Sequence, residues 1–414
     1  MIFYPHDDEH AVISGIRKYT NDDYALIRLT STMVVKCIID ANENFRQVVE
    51  DAGLADYRQI ANGEKKFIQA TFIGREEAKE IELSLYRVNN DRGDRRFSIK
   101  GSGQMLKNHE LEIGDLLYFF AHKMQDGSYQ LFVVNTTHNT PAQDLMQQIF
   151  GLDEIDAALD ELRPMLTKVL HGGPFENSKG AGKIAPKDAG DTFEYHMGIR
   201  TNNDAGADYK GLIEFKTKRA KTMDTLFTLR PTFEGTPIAA YEKSDRNRVS
   251  AFARYYGYES DKHPEMKSLY ITIASKKAAR NNQGFYLQNN YDERRVEIMH
   301  IEDGHDVVAA YWPFADLRRE LLHKHPATLW VDTEIVQEGT ADRPALFSYK
   351  QVSFSRSPQF TTFLNLIDEG RISYDWRGYT TPEGKYQGKN HGNAWRVNAK
   401  FKDVLFDSLE VLDV

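Results

Sequence analysis

Residues 205–219, AGADYKGLIEFKTKR, hold the densest set of side chains in the chain that could do chemistry. If Leu212 to Thr217 form a strand, Glu214 and Lys216 lie two apart and project from one face, while Asp208 enters from the turn just before it. Two carboxylates and an ammonium then converge. Hydrolysis of a phosphodiester needs that set: hard oxygen ligands for a divalent ion such as Mg²⁺, which usually keeps several waters, and a Lys to orient or help deprotonate the attacking water. Ile213 and Phe215 would fill the opposite, apolar face, and a basic run of Lys216, Lys218, Arg219 and Lys221 follows at once. An exposed strand with alternating charges is the competing reading of the same residues.

The elements around this segment read as α+β. A helix is expected to begin at Asp191, with Glu194 three residues later completing a capping box; the same Glu194 could also lean on a metal site. Strands are expected near Leu212–Thr217, Leu269–Ala274, Glu297–Ile301 and Thr328–Glu334, giving a mixed sheet. Helices are expected at Arg246–Tyr256, Pro313–Lys324 and Pro358–Glu369, the last capped by Ser357 and stopped by Gly370. The Gly- and Lys-rich stretch 171–190 reads as an exposed connection or a mobile loop at the mouth of a site.

Upstream the pattern changes. Up to about residue 135 the chain is mainly β, in short segments such as YALIRLT, TMVVKCII, FIQATFI, EIELSLYRV, RRFSIKG, DLLYFFAHK and YQLFVVN. Seven strands with perhaps two helices, one near Glu43 to Ala52, describe a compact barrel or pseudobarrel. From Pro141 to Leu170 apolar residues recur at helical spacing, which marks a boundary: 1–140 as one domain, 141–174 as a helical linker, 175–414 as the second domain.

Composition is that of a folded soluble protein, with 41% apolar and 28% charged residues. No apolar run is long enough for a membrane span, and the opening MIFYPHDDEH lacks the order of a signal peptide, so a cytoplasmic location is expected. The single Cys37 can form no internal disulfide, and its apolar surroundings predict a buried core residue. The net charge of −8 argues against a nucleic-acid partner only if charge is evenly spread, and it is not. Arg87, Arg92, Arg95, Arg96, Lys100 and Lys107 face only Asp91 and Asp94 in one stretch, and Lys385, Lys389, Arg396, Lys400 and Lys402 face no acid in another. Each stretch is either a solvated face or a phosphate-contacting one.

The order of motifs resembles the MvaI and BcnI type of restriction endonuclease, a PD-(D/E)xK family related in fold to the nicking repair enzyme MutH. The matching blocks are Gly190-Asp191-Thr192-Phe193-Glu194, Asn202-Asn203-Asp204-Ala205, Asp208, Glu214-Phe215-Lys216-Thr217 and Thr225-Leu226-Phe227-Thr228. Further on come Tyr311-Trp312-Pro313-Phe314, Ser355-Arg356-Ser357-Pro358, residues 370–377 (GRISYDWR) and His391-Gly392-Asn393-Ala394-Trp395-Arg396. The chain departs from MvaI in the spacing between Asp208 and Glu214, and in having Lys389 where MvaI has a His. The resemblance implies a restriction-endonuclease-like α/β domain, Asp208, Glu214, Lys216 and Glu194 as the catalytic set, Asp208 and Glu214 as Mg²⁺ ligands, and double-stranded DNA as the partner. It also implies that Asp375, Arg377, Lys389, His391 and Arg396 face the major groove, where Arg pairs with guanine and Asp accepts from cytosine N4. The residue-level alternatives are a strand salt bridge for Asp375 with Arg377 and a structural role for His391.

The first domain resembles the effector-binding domain of EcoRII and, more distantly, the B-three DNA-binding pseudobarrel. Residues 24–29, 94–101 and 111–119 carry the likeness. It implies DNA contacts from Arg28, Arg92, Arg95, Arg96 and Lys100, against the alternative of hairpins with solvated arginines. Together the two domains resemble the type IIE restriction enzymes. That implies a target such as CC(A/T)GG, activation by a second copy of the site, a monomer, and a cognate DNA methyltransferase in the host. A nicking repair endonuclease and a non-catalytic DNA-binding regulator are the rival readings.

Overall fold

The computed structural model describes residues 5–199, 206–218, 223–406 and 409–414. The chain divides into two compact units, Met1–Ala157 and Ala158–Val414. In the first unit the order is α1 (Asp7–Arg17), β1 (Tyr24–Arg28), α2 (Ser31–Lys36), β2 (Ile39–Asp40), α3 (Glu43–Asp51), β3 (Lys65–Ile73), β4 (Ala78–Arg87), β5 (Arg95–Ile99), α4 (Ser102–Lys107), β6 (Leu116–Lys123), β7 (Tyr129–Asn135) and α5 (Gln143–Phe150). Its strands form one seven-stranded sheet in the order β1-β6-β7-β3-β4-β5-β2, in which only the β3–β7 ladder is parallel. Ala25, Ile27, Leu117, Phe119, Leu131 and Val133 face a core closed by Phe45 and Val48 of α3. Their neighbours Tyr24, Leu26, Tyr118, Phe120, Phe132 and Val134 face a second cluster with Ile13 and Ile16 of α1 and Met146 of α5. Burial on both faces explains why the sequence of β6 is apolar almost throughout rather than alternating.

Two expectations fail here. The segment TMVVKCII is not a strand: Thr30 Oγ1 accepts from Met33 N at 3.3 Å, and this cap starts α2 despite the β-branched residues that follow. Cys37 then closes α2 in the left-handed conformation (φ 51°) and is exposed, not buried. The stretch 141–170 is helical and holds two helices, since Gly151 (φ 91°) stops α5, whose Met146 belongs to the first unit's core.

In the second unit the elements are α6 (Glu154–His171, which begins at the boundary), β8 (Phe175–Ala181), α7 (Asp188–His196), β9 (Glu214–Lys218), β10 (Met223–Phe227), α8 (Pro237–Tyr241), α9 (Arg248–Tyr256), β11 (Tyr258–Ser260), β12 (His263–Ile273), β13 (Phe285–Asn290), β14 (Arg295–Glu302), β15 (His305–Pro313), α10 (Phe314–Lys324), β16 (Ala327–Gln337), β17 (Pro344–Arg356), α11 (Phe360–Asp368), β18 (Ile372–Thr380), β19 (Gly388–Asn390), β20 (Ala394–Asn398), α12 (Lys402–Leu405) and β21 (Glu410–Val411). One sheet runs β21-β17-β16-β9, with β9 parallel to β16 and β8 paired to β17; it is mixed as expected, but of the four strands expected only β9 and β16 belong to it. A second runs β10-β20-β18-β12-β11, with β19 paired to β18, and a third is the meander β13-β14-β15. The core between them is aromatic, built on Trp312, Tyr374, Trp376 and Trp395 with Phe252, Phe360 and Phe363. No helix among the described residues is long and apolar enough to cross a membrane.

Helix limits differ from the sequence reading where a cap comes from elsewhere in the chain. Helix α7 begins three residues before Asp191, because Asp188 accepts from Ala185 N and Asn177 Nδ2, both at 2.9 Å, and fixes the preceding turn. Stretch 171–190 is accordingly not all loop, since Phe175 and Glu176 pair with Phe347 and Leu346. Helix α11 begins at Phe360 after Gln359, while Ser357 Oγ donates to the Pro326 carbonyl instead of capping. Its stop is as expected: Gly370 (φ 69°) donates to Ile367 O and Arg371 N donates to Leu366 O, the paired bonds of a Schellman motif.

In the first unit one ion pair ties α1 to β1. Glu9, 1% exposed, accepts from Arg28 Nη2 at 2.7 Å and Nη1 at 3.0 Å, from Thr137 Oγ1 at 2.6 Å and from His6 N at 2.8 Å. Burial alone would raise its pKa, but these bonds, that from Arg28 foremost, bring it down from 4.5 to about 2. A lowered carboxylate pKa stabilises the fold above pH 4.5 and loses that contribution as pH falls toward 2. The difference is worth ~3 kcal/mol. Glu9→Gln should therefore lower the stability of the first unit at pH 7 and flatten its pH dependence in that window. Urea unfolding followed by circular dichroism measures this, with tryptophan emission as an internal control because all 4 Trp lie in the second unit. An unchanged acid dependence would refute the assignment.

Candidate active site

Strand β9 has Ile213 before it and Phe215 within it turned into the core, where Phe215 meets the ring edge of Phe193 from α7 at 5.7 Å. The other face carries Glu214 and Lys216. Helix α7 lies close against β9 because residue 190 is glycine: a Cβ there would sit 3.2 Å from Thr217 Oγ1. That approach brings Glu194 within the field of Asp208, Glu214 and Lys216. The Asp191–Glu194 capping box does not form, since Asp191 lies inside α7 and pairs with Lys179 at 3.0 Å and Lys187 at 3.4 Å.

Asp208 is fixed by a backbone bond, its Oδ2 accepting from Phe215 N at 2.7 Å. Glu214, 2% exposed, accepts from Lys216 Nζ at 2.5 Å through Oε1. Its Oε2 pairs with Lys324 Nζ at 2.9 Å. Burial would raise the pKa of Glu214, yet the two ammonium groups hold it below the usual carboxylate range. Asp208 is pushed up to about 6 by burial and by the charge of Glu214. Burial and the charges of Asp208, Asp191 and Glu214 push Glu194 up to about 7.

Mutual repulsion of this kind is what a bound dication relieves. Among the described residues no group of three or more His, Cys, Asp or Glu side chains makes a ready cage. Mg²⁺ does not need one, as it is commonly held by one or two carboxylates plus waters and substrate phosphate. The carboxylates of Glu214 and Asp208, whose charges raise one another's cost, fit that donor set.

Lys324 is a site residue that the sequence reading missed. It ends α10, far along the chain, and its Nζ also donates to the Gly206 carbonyl at 3.3 Å. Nothing in its local sequence separates it from an exposed helix-terminal lysine. Of the other residues read near the site, Asn202 to Ala205, Arg219 and Lys221 lie outside the described residues.

The second cluster is built on β18, flanked by β12 and β20. Asp375 is 2% exposed and accepts from Thr272 Oγ1 at 2.7 Å, from Arg377 Nη2, and from Arg396 Nη1 at 2.8 Å. The strand salt bridge is therefore what forms, and the carboxylate expected to meet a base edge instead holds two guanidinium groups. Arg377 stays nearly half exposed, and Arg396 is held further by donating to the Met223 carbonyl at 3.1 Å. Lys389 and His391 are exposed at β19 and just after it, with His391 N bonded to Arg377 O. Tyr270 and Tyr379 lie about 6 Å from the His391 ring, and His263 stacks on Tyr379 at 3.8 Å.

In the first unit the five candidate bases differ in availability. Arg28 bonds Glu9 and the Gly114 carbonyl, which gives it a structural role. Arg96 pairs with Asp40 at 3.2 Å and Asp94 at 3.4 Å, and Arg95 is half-buried. Arg92 and Lys100 are exposed, Lys100 lying 3.2 Å from Glu82.

Asp375 and Arg377 should separate in a stability measurement. Asp375→Ala leaves two cations facing each other and should cost about 2–3 kcal/mol, less than a fully buried pair because both arginines reach solvent. Arg377→Ala should cost under about 1 kcal/mol. Trp376 and Trp395 sit on the same strands and report the unfolding directly. Equal losses would mean that Asp375 does not organise the cluster.

The profile of the MvaI/BcnI restriction endonuclease family matches residues 164–406, more than half of the chain, and leaves 1–163 outside. None of the curated proteins compared with the chain matches it. Among solved structures, the complex of restriction endonuclease MvaI with a cognate DNA substrate is 21% identical, covering 61% of this chain and 97% of that one, with a TM-score of 0.49. MvaI in the absence of DNA is 20% identical, covering 62% and 96%, with a TM-score of 0.37. On the extent of the family match, the chain belongs to the MvaI/BcnI restriction endonuclease family and is a site-specific DNA nuclease.

Proposed function

We propose that the chain is a Mg²⁺-dependent type II restriction endonuclease whose single active site consists of Asp208, Glu214 and Lys216, with Glu194 as an accessory acid. The observation that carries this reading is the buried Glu214 carboxylate between Lys216 and Lys324, with Asp208 and Glu194 crowded beside it. Bound Mg²⁺ supplies charge neutralisation at the scissile phosphate and lowers the pKa of water. Asp208 and Glu214 hold it. Lys216 positions the attacking water and favours its deprotonation, since an ammonium beside a developing hydroxide stabilises it. Glu194, with its raised pKa, can accept a proton near neutral pH.

The target is a short pseudopalindrome such as CC(A/T)GG, with CC(C/G)GG as the next candidate. Arg377 and Arg396 read guanine, His391 and Lys389 contact adjacent bases or phosphates, and Asp375 aims the arginines. The first unit binds a second copy of the site as an effector, through Arg92, Arg95, Arg96 and Lys100. The enzyme acts on double-stranded DNA as a monomer and needs a cognate methyltransferase in its host. One active site per chain also favours sequential nicking, so a nicking enzyme is the second reading. A supercoiled plasmid with Mg²⁺ separates the possibilities: linear product for the restriction enzyme, open circle alone for the nicking enzyme. Sequencing the cut ends gives the site.

Glu214→Ala or Lys216→Ala should abolish cleavage while specific binding persists, because both act on the metal and water rather than on bases. Removing Mg²⁺ with a chelator should do the same, and restored Mg²⁺ should restore cutting. Wild-type rates in either variant at saturating Mg²⁺ would sink the assignment.

The effector role has its own test. Coupling between two binding sites is a free energy that acts in both directions. A short cognate duplex lacking a cleavable phosphate should speed cutting of a one-site plasmid at low concentration and compete at high concentration. Replacing Arg95 and Arg96 with Ala should remove the acceleration and leave the basal rate. If acceleration survives in that variant, those two arginines do not carry the effector contact.

A further inference from the structure

The catalytic pair and the base-facing cluster stand on different sheets. Glu214 and Lys216 belong to β9, the last strand of the β21-β17-β16-β9 sheet; Arg396 and Arg377 belong to β20 and β18 of the other. The other sheet ends at β10, and among the described residues no backbone ladder joins β9 to β10. The two strands are consecutive in the chain, separated by residues 219–222, and a side-chain cluster also joins them. Asp224 of β10, 6% exposed, lies 2.6 Å from Lys218 Nζ of β9 and 3.5 Å from Lys402 Nζ of α12.

Each end of this cluster leads to a site. Lys218 lies two residues after Lys216 and so shares its face of β9. Lys402 sits 4.0 Å over the ring of Trp330, the strand neighbour of Lys216. At the other end Met223, next to Asp224, gives its carbonyl to Arg396 Nη2, while Arg396 Nη1 holds Asp375 together with Arg377. An arginine that moves to meet a base edge must shift or release the Met223 carbonyl. The adjacent carboxylate grips the catalytic strand.

We infer that Asp224 is a positioning residue that couples base reading by the Arg377–Asp375–Arg396 cluster to the placement of Lys216 and Glu214. This rests on the reading of Arg377 and Arg396 as base contacts. Asp224 touches neither DNA nor the reacting atoms; it transmits the seating of Arg396 to β9 through Lys218. The cognate sequence then gains in cleavage rate beyond what it gains in binding, because only correct seating sets β9.

Asp224→Asn, which keeps the shape and removes the charge, tests this. With the full chain and a short duplex carrying the plasmid-identified site, single-turnover cleavage should fall about tenfold or more, while the dissociation constant, measured with Ca²⁺ in place of Mg²⁺, stays within about threefold. The ratio of cleavage rates between the cognate duplex and one with a single wrong base should shrink. Asp224→Glu should recover part of the rate, and Lys218→Met should reproduce the loss from the opposite end if Asp224→Asn does not fold. A wild-type cleavage rate, a full retention of the rate ratio, or a parallel fall of rate, affinity and melting temperature would each overturn the coupling. Failure of the underlying reading looks different: Arg377→Ala would then weaken cognate and random DNA equally, whatever Asp224 does.

Discussion

The second unit is organised around the cost of burying Glu214. A carboxylate removed from water loses several kcal/mol of solvation even after the protein relaxes, and it stays charged only if cations come to it. Here two do, Lys216 from the same strand and Lys324 from the end of α10. The position of α10, the parallel pairing of β9 with β16 and the close approach of α7 at Gly190 all serve to bring these groups to one point. The same gathering brings Asp208 and Glu194 close to Glu214, and their mutual repulsion is a cost that the two lysines only partly offset.

Three other buried carboxylates in the chain show how completeness of bonding separates structure from function. Glu9 accepts four hydrogen bonds and is closed to any further partner. Asp375 accepts three and leaves Arg377 open to solvent, so the carboxylate is structural while its cation is available. Asp224 lies between these cases: its Oδ1 pairs tightly with Lys218 at 2.6 Å, while its Oδ2 meets Lys402 only at 3.5 Å. A polar atom left short in a dry place is a site where a small displacement gains or loses much energy.

Much of this was legible in the sequence where the determining contacts are local. Period-two alternation puts Glu214 and Lys216 on one face of a strand, and Gly370 stops α11 through bonds that span only a few residues. Where a distant residue decides, sequence reading fails for an identifiable reason. Asn177 helps to fix the turn before α7 and moves its start, which removes the capping role read for Glu194. The β-branched run after Thr30 argues for a strand, but the cap and the left-handed Cys37 make a short helix. Lys324 carries no signal at all, because its contact with Glu214 exists only after α10 has packed. Asp375 had two readings on the page, and its burial selects the salt bridge.

The proposed coupling of the two sites depends on strand edges. In the described residues β9 and β10 are both terminal strands, each with one side free of a ladder. A ladder between them would lock catalytic and reading sheets into one rigid body through many parallel bonds, and no single side chain could shift one against the other. A side-chain joint of one carboxylate and two lysines is softer, because a few torsions can change its geometry at modest cost. It is also charged, so it responds to another charge placed nearby, and DNA brings phosphates. On that proposal the aromatic core behind β18 and β20 stays rigid, and the seam between β9 and β10 is what adjusts.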